Sequence, residues 1–151
     1  DSASGEPGST LISHLIEPGK ADLLIAFDKM EALRFAHYLR PGGAMVVNAQ
    51  EIFPPSVATG QERYPRDVAE RLRAVTDRLH MVDALAAALS MREVRAVNIV
   101  LVGAASHFLP LPEAAYEEAL RARLPSMIVA VNVQAFRAGR ALLQPLTVKR
   151  H

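Results

Sequence analysis

The side chains to weigh first for chemistry are the histidines His14, His37, His80, His107 and His151. Two histidines that hold one metal from a single helix stand four residues apart, as in H-x-x-x-H, and no pair here has that spacing. Any metal site would need convergence in the fold, so each reads as a surface or hydrogen-bonded histidine and no metal ligand is assigned. Ser106-His107 sets a hydroxyl beside an imidazole, the material of an activated nucleophile. Adjacent helical residues point about 100° apart, however, and no G-x-S-x-G elbow surrounds the serine, so no triad is expected. Gly19-Lys20 approaches a phosphate loop, but Ala21 replaces the Ser or Thr that would hold magnesium, and His14 stands in place of the leading glycine. Asp28 follows an apolar run, where α/β proteins gather ligands, and an N-cap role already accounts for it. Asn98 and Asn132 are amides inside apolar helical stretches, and a buried amide must find partners in the helix, a neighbouring subunit or a ligand. Satisfaction within the fold is the simpler expectation. These patterns name no catalytic residue, and the cofactor-binding positions stay unknown.

Composition narrows the classes further. The 151 residues fit one domain, half of them hydrophobic and 22% charged, an ordinary globular balance. No apolar run approaches the roughly 20 residues needed to span a bilayer, and no secretory signal pattern is visible, so a cytoplasmic location is the default expectation. A net charge of +1 lacks the concentrated basic field that nucleic-acid binding needs. The absence of cysteine excludes disulfides, a thiolate nucleophile and a cysteine-held iron–sulfur cluster within these residues.

The elements that must position these residues alternate between strand and helix. Residues 1–10, rich in Gly, Ser and Pro, read as a flexible or vector-derived leader, and 11–151 as a single domain. Leu11 to Ile16 could extend as a short strand, followed by a turn at Glu17-Pro18-Gly19. Leu23 to Phe27 is apolar at consecutive positions, as a strand covered on both faces requires. Asp28 and Glu31 form a capping box for a helix reaching about Leu39, with Pro41-Gly42-Gly43 as its stop. Ala44 to Val47 is the next strand, which makes a right-handed βαβ unit with parallel strands. Ile52 to Val57 must be extended around Pro54-Pro55. Arg66 to Leu79 has helical periodicity, His80 to Ala84 reads as a strand, and Ala84 to Leu89 as helix. Val94 to Leu109 is helix by length; Pro112 opens a helix over Glu113 to Leu124, and Met127 to Leu143 forms the last. The expected fold is therefore α/β, a three-layer Rossmann-like parallel sheet with helices on both faces.

Several stretches taken in order resemble a known family. They are Leu15-Ile16-Glu17-Pro18-Gly19-Lys20-Ala21-Asp22-Leu23-Leu24, Glu31-Ala32-Leu33-Arg34, Leu39-Arg40-Pro41-Gly42-Gly43, Val47-Asn48, Pro54-Pro55-Ser56-Val57, Tyr64-Pro65, Arg95 through Ala104, and Leu109-Pro110-Leu111-Pro112. Together, over about Ser13 to Arg140, they resemble the gamma domain of 2-oxoacid:ferredoxin oxidoreductases, most like the small subunit in the indolepyruvate oxidoreductase branch. Two departures stand out: the family's opening strand and G-x-G-G-Q-G turn do not occur here, and His14 stands where the family often has proline. The resemblance, with the small number of strands, leads to the expectation of a truncated or incompletely represented subunit.

The resemblance implies a non-catalytic assembly subunit, inactive when isolated, of an enzyme that oxidatively decarboxylates a 2-oxoacid such as indolepyruvate or pyruvate to an acyl-CoA. It implies thiamine diphosphate and iron–sulfur clusters on other subunits, with CoA as co-substrate and no cofactor in this chain. The implied partners are an alpha/beta-type catalytic subunit or a fused large subunit, and ferredoxin through the holoenzyme, with neither nucleic acid nor membrane. Self-association of the isolated chain is a further expectation. The alternative is a free-standing α/β ligand-binding or regulatory module.

Overall fold

The computed structural model describes residues 15–50, 59–60 and 65–143. Three strands form a parallel sheet in the order β1-β2-β3, with β1 at Ala21–Ala26, β2 at Leu39–Asn48 and β3 at Leu79–Val82. Among the described residues β1 and β3 are its edges. Helices α1 (Lys29–Phe35), α2 (Val68–Val75), α3 (Ala84–Ser90), α4 (Val97–Ala105), α5 (Glu113–Arg123) and α6 (Ser126–Leu142) surround it.

Alternation along the central strand divides the core. Met45 and Val47 point with Leu24 and Ala26 toward Ala32 of α1 and Val68 and Leu72 of α2. Val46 points with Leu23 and Ile25 toward Ala84 and Ala88 of α3, Val100, Leu101 and Ala104 of α4, and Ala135 of α6. A strand buried on both faces needs apolar residues at successive positions, which is what residues 44–47 supply. The result is the three-layer α/β fold expected from the sequence.

Local signals set the entry of this unit. Pro18 presets one turn angle and Gly19 takes φ +75, so the Lys20 amide can donate to the Glu17 carbonyl at 3.2 Å. The Asp28 carboxylate accepts from the Glu31 amide at 2.8 Å and caps α1 as expected. β1 and β2, joined through α1, pair in parallel from Leu23 opposite Ala44 to Ala26 opposite Val47.

Boundaries differ where tertiary contacts override periodicity. The first helix does not reach Leu39: α1 ends at Phe35, a 3-10 turn covers Ala36–Tyr38, and Leu39 begins β2. Pro41-Gly42-Gly43 is no helix stop but a bulge within β2. Ala21 pairs with Leu39 while Leu23 already pairs with Ala44, so the intervening residues loop out, Gly42 at φ +73. Likewise α2 ends at Val75 and does not continue to Leu79. The buried Thr76 hydroxyl donates to the Gly43 carbonyl at 2.7 Å, which draws the chain out of the helix and delivers Leu79 to β3. β3 accordingly spans Leu79–Val82 rather than His80 to Ala84. Val94 to Leu109 is helical in three pieces, α4 flanked by 3-10 turns at Val94–Ala96 and Ser106–Phe108. Pro112 is the extended N-cap of α5 rather than its first helical residue. The expected extended segments at Leu11 to His14 and Ile52 to Val57 lie outside the described residues, and Leu15 and Ile16 belong to no strand.

Helices α4 and α6 cross at unusually close range. A methyl group added at Gly103 would overlap the Phe136 carbonyl, and one added at Gly139 would overlap the Val100 carbonyl. Glycine at both positions lets the backbones meet, and Phe136 beside the crossing is fully buried, its ring stacked on Tyr116 of α5.

Candidate functional site

In an open parallel sheet the first place to look for ligand chemistry is beyond the carboxyl ends of the strands. Asp28, Asn48 and Asp83 stand there. Each is committed to a backbone amide. Asp28 caps α1; Asp83 accepts from the Ala86 amide at 2.9 Å and caps α3; Asn48, 1% exposed, accepts through Oδ1 from the Ala84 amide at 3.2 Å. The Asn48 Nδ2 also donates to Gln50 Oε1 at 3.4 Å. These polar groups build the end of the sheet, each giving one oxygen to a backbone amide.

The histidines and Ser106 are likewise absorbed. Exposed His37 meets the Arg34 carbonyl through Nδ1 at 3.1 Å. His80 tilts against Phe108 at 4.9 Å, and burial, with a smaller contribution from Arg78, pushes its pKa below the ordinary histidine value. His107 donates from Nε2 to the Arg140 carbonyl at 2.8 Å, since a carbonyl can only accept. Ser106, 2% exposed, donates to the Gly103 carbonyl at 2.6 Å and accepts from Arg140 Nη1 at 2.7 Å. Its hydrogen goes to Gly103 and its oxygen takes Arg140, and with His107 also bonded to Arg140 the two tie the end of α4 to α6. Gly19-Lys20 leads into a strand, whereas a phosphate loop must open a helix. His14 and His151 lie outside the described residues, among which no three His, Asp or Glu side chains gather as metal ligands.

Among the described residues the buried carboxylate on the helical side, Glu117, is equally engaged. Glu117 accepts from Arg137 Nη2 at 2.9 Å and from Arg121 Nη1 at 3.3 Å. The Arg137 guanidinium, then Arg121, holds its carboxyl below the usual range.

Two open surfaces stand out among the described residues. Beside edge strand β1 an apolar groove of about 410 Å³ is lined by Leu15, Ile16, Leu23, Leu24, Phe35 and Tyr38. On the opposite layer a cleft of about 290 Å³ opens between the start of α4 and the start of α6. Asn98 and Asn132 both line it, over a floor that includes Ile99, Ile128 and Val131. The sequence leads one to expect both asparagines as buried amides; the structure exposes Asn98 and half-buries Asn132. Asn132 Nδ2 donates to the Ile128 carbonyl at 2.8 Å, one turn back, and Asn98 makes no side-chain hydrogen bond among the described residues. Their convergence was hidden because α4 is apolar around nearly its whole circumference, so periodicity could not say which face turns outward.

The family described as pyruvate ferredoxin/flavodoxin oxidoreductase matches residues 8–142. The chain belongs to this family. It is 36% identical over 129 residues to the indolepyruvate oxidoreductase subunit IorB of Archaeoglobus fulgidus, an alignment covering 83% of this chain and 64% of that protein. It is 30% identical over 139 residues to the subunit of the same name from Thermococcus kodakarensis, covering 87% and 68%. The chain thus spans about two thirds of the length of these relatives. Among solved structures it is similar to the gamma subunit of a keto/oxoacid ferredoxin oxidoreductase from Geobacter sulfurreducens, with a TM-score of 0.58, 20% identity, and coverage of 80% of this chain and 63% of that one. At that identity the likeness establishes the shared α/β fold. No helix among the described residues is long and apolar enough to cross a membrane.

Proposed function

We propose that this chain is the small, gamma-type subunit of a 2-oxoacid:ferredoxin oxidoreductase, acting without catalytic residues of its own in the oxidative decarboxylation of a 2-oxoacid to an acyl-CoA. In this reading a larger partner holds the thiamine diphosphate and the iron–sulfur clusters, CoA is the co-substrate, and ferredoxin takes the electrons. Residues 11–151 are read as one domain serving that assembly, in the cytoplasm.

Family membership carries the reading, and the chemistry of the side chains agrees with it. The residues present do not fit an iron–sulfur cluster. A cluster of this kind needs cysteine thiolates, and the sequence has none. At the sheet end Asp28, Asn48 and Asp83 each spend an oxygen on a backbone amide of the fold. No step of the reaction is therefore assigned to this chain, whose contribution is a rigid three-layer body with open apolar surfaces on two sides.

The test is turnover. The purified chain should reduce neither ferredoxin nor viologen with indolepyruvate or pyruvate and CoA, and adding its large partner should produce that activity. Turnover by the chain alone would overturn the reading, as would a large partner equally active without it.

A further inference from the structure

Helix α5 is joined to the rest of the molecule by charges and one ring rather than by aliphatic burial. Its one buried residue is the carboxylate Glu117, Leu120 is only partly covered, and none of its side chains belongs to either half of the core around the sheet. Among the described residues, the contacts that tie it to α6 are polar and aromatic. The Arg137 guanidinium donates to both Glu117 oxygens, Nη2 at 2.9 Å; Arg140 Nε stands 3.3 Å from Glu113 Oε2; and the Tyr116 ring stacks on Phe136 at 5.0 Å. The Tyr116 hydroxyl is buried with no hydrogen-bond partner among the described residues, so closure strands a donor that water would satisfy. At both ends, Pro112 and Leu124, the backbone is extended, which breaks the run of helical dihedrals on either side of α5. The body beneath is fixed without it. Gly103 and Gly139 bring α4 and α6 into backbone contact, and Arg140 is tied to Ser106 through Nη1 and to His107 through its carbonyl.

We propose that α5 is a strap latched by Glu117, which opens as a unit while the sheet, α4 and α6 stay folded, and so bares Phe136 and Arg137. Opening returns the Tyr116 hydroxyl and the Glu113 carboxylate to water, and it gives up the partial cover of Tyr116 and Leu120. What resists it is the pair of Glu117 with Arg137. The Glu117 side chain is 11% exposed, and a carboxylate so covered needs its counter-charge. Arg121 lies on α5 and travels with Glu117, so Arg137 is the cation that crosses to α6. Salt screens such a pair, because the Debye length falls from about 10 Å at 0.1 M to about 3 Å at 1 M. It does not weaken the apolar packing of α4 on α6 in the same way. The strap therefore answers to ionic strength and the body does not.

The experiment is hydrogen–deuterium exchange on the full chain at about 0.05 M and about 1 M sodium chloride, for the parent, Glu117→Gln, Glu118→Gln and Tyr116→Phe. Released from α6, a helix of 11 residues is marginal in water, so opening is read as exchange of the amides of 113–123. At low salt Glu117→Gln should exchange there roughly tenfold faster than the parent, and high salt should do the same to the parent while adding little to the variant. Peptides of β2 and α4 should not change. Glu118, exposed on the same helix, makes the same change of charge, and its variant should exchange as the parent does. Tyr116→Phe removes the stranded hydroxyl and should slow exchange roughly threefold. Exchange over 113–123 that moves together with β2 and α4 would make α5 part of one cooperative body and overturn the proposal. Equal acceleration by the Glu117 and Glu118 variants, protection indifferent to salt, or faster exchange in Tyr116→Phe would each contradict it. If Glu117→Gln fails to fold, the salt series on the parent together with Tyr116→Phe decides on the same terms.

Discussion

The end of the parallel sheet and the cleft between α4 and α6 both carry asparagine on an apolar scaffold, with opposite fates. At the sheet end, Asn48 is 1% exposed and accepts the Ala84 amide, while Asp28 and Asp83 cap the helices beside it. In the cleft, Asn98 is exposed and makes no side-chain hydrogen bond among the described residues, and Asn132 keeps an oxygen free. Polarity at the first place holds the fold together. At the second it faces outward over aliphatic side chains. The polar groups at the sheet end thus serve the fold's own backbone, whereas those in the helical layer do not.

The contrast can be broken in order of expected effect. Gly139→Ala attacks the crossing that shapes the cleft; its new methyl meets the Val100 carbonyl, and the helices must separate. A loss of about 3 kcal/mol is expected from overpacking against backbone, read by urea denaturation. A loss below about 1 kcal/mol would mean that the helices are not so closely apposed.

Asn48→Leu leaves the Ala84 amide buried without its acceptor and should cost about 2 kcal/mol, with the largest change in amide exchange at the start of α3. Unchanged exchange there would show that Asn48 does not hold the helix. Asp28→Ala removes only a cap and should cost about 0.5 to 2 kcal/mol; a midpoint equal to that of the parent would show that the cap is dispensable.

His80 adds a dependence on pH. Its folded pKa lies below the ordinary value near 6.5, so between the two the unfolded chain binds more protons, and stability falls as pH drops through that window. The parent should lose stability between pH 7.5 and 5.5 by more than His80→Asn does; equal losses would contradict the shift. The smallest effect belongs to the other side of the comparison: Asn98→Ala should move stability by no more than about 0.5 kcal/mol, because nothing in the fold uses it. A larger loss would make the amide structural after all.

Much of this architecture was legible in residue types alone. Asp28 with Glu31, the Pro18-Gly19 turn and the unbroken apolar run at 44–47 each contain a local mechanism, and each gave its element. Pro41-Gly42-Gly43 misled because proline and glycine serve a helix stop and a strand bulge equally; only pairing with β1 separates them. The end of α2 depended on a hydroxyl reaching Gly43, thirty-three positions away in sequence, which no window of periodicity contains. At the cleft, Asn98 and Asn132 were noticed as unusual amides, but their exposure and meeting depend on how α4 rests on α6, set by Gly103 and Gly139.

The central claim is that these residues serve an enzyme whose cofactors lie elsewhere. The most direct measurement is affinity purification of the tagged chain from its native host under anaerobic conditions, with iron, acid-labile sulfide and thiamine diphosphate assayed in the eluted complex. The account predicts one large partner in equimolar amount that carries all three and reduces ferredoxin with a 2-oxoacid and CoA. A chain that elutes alone, or with partners containing neither iron nor thiamine diphosphate, would contradict it.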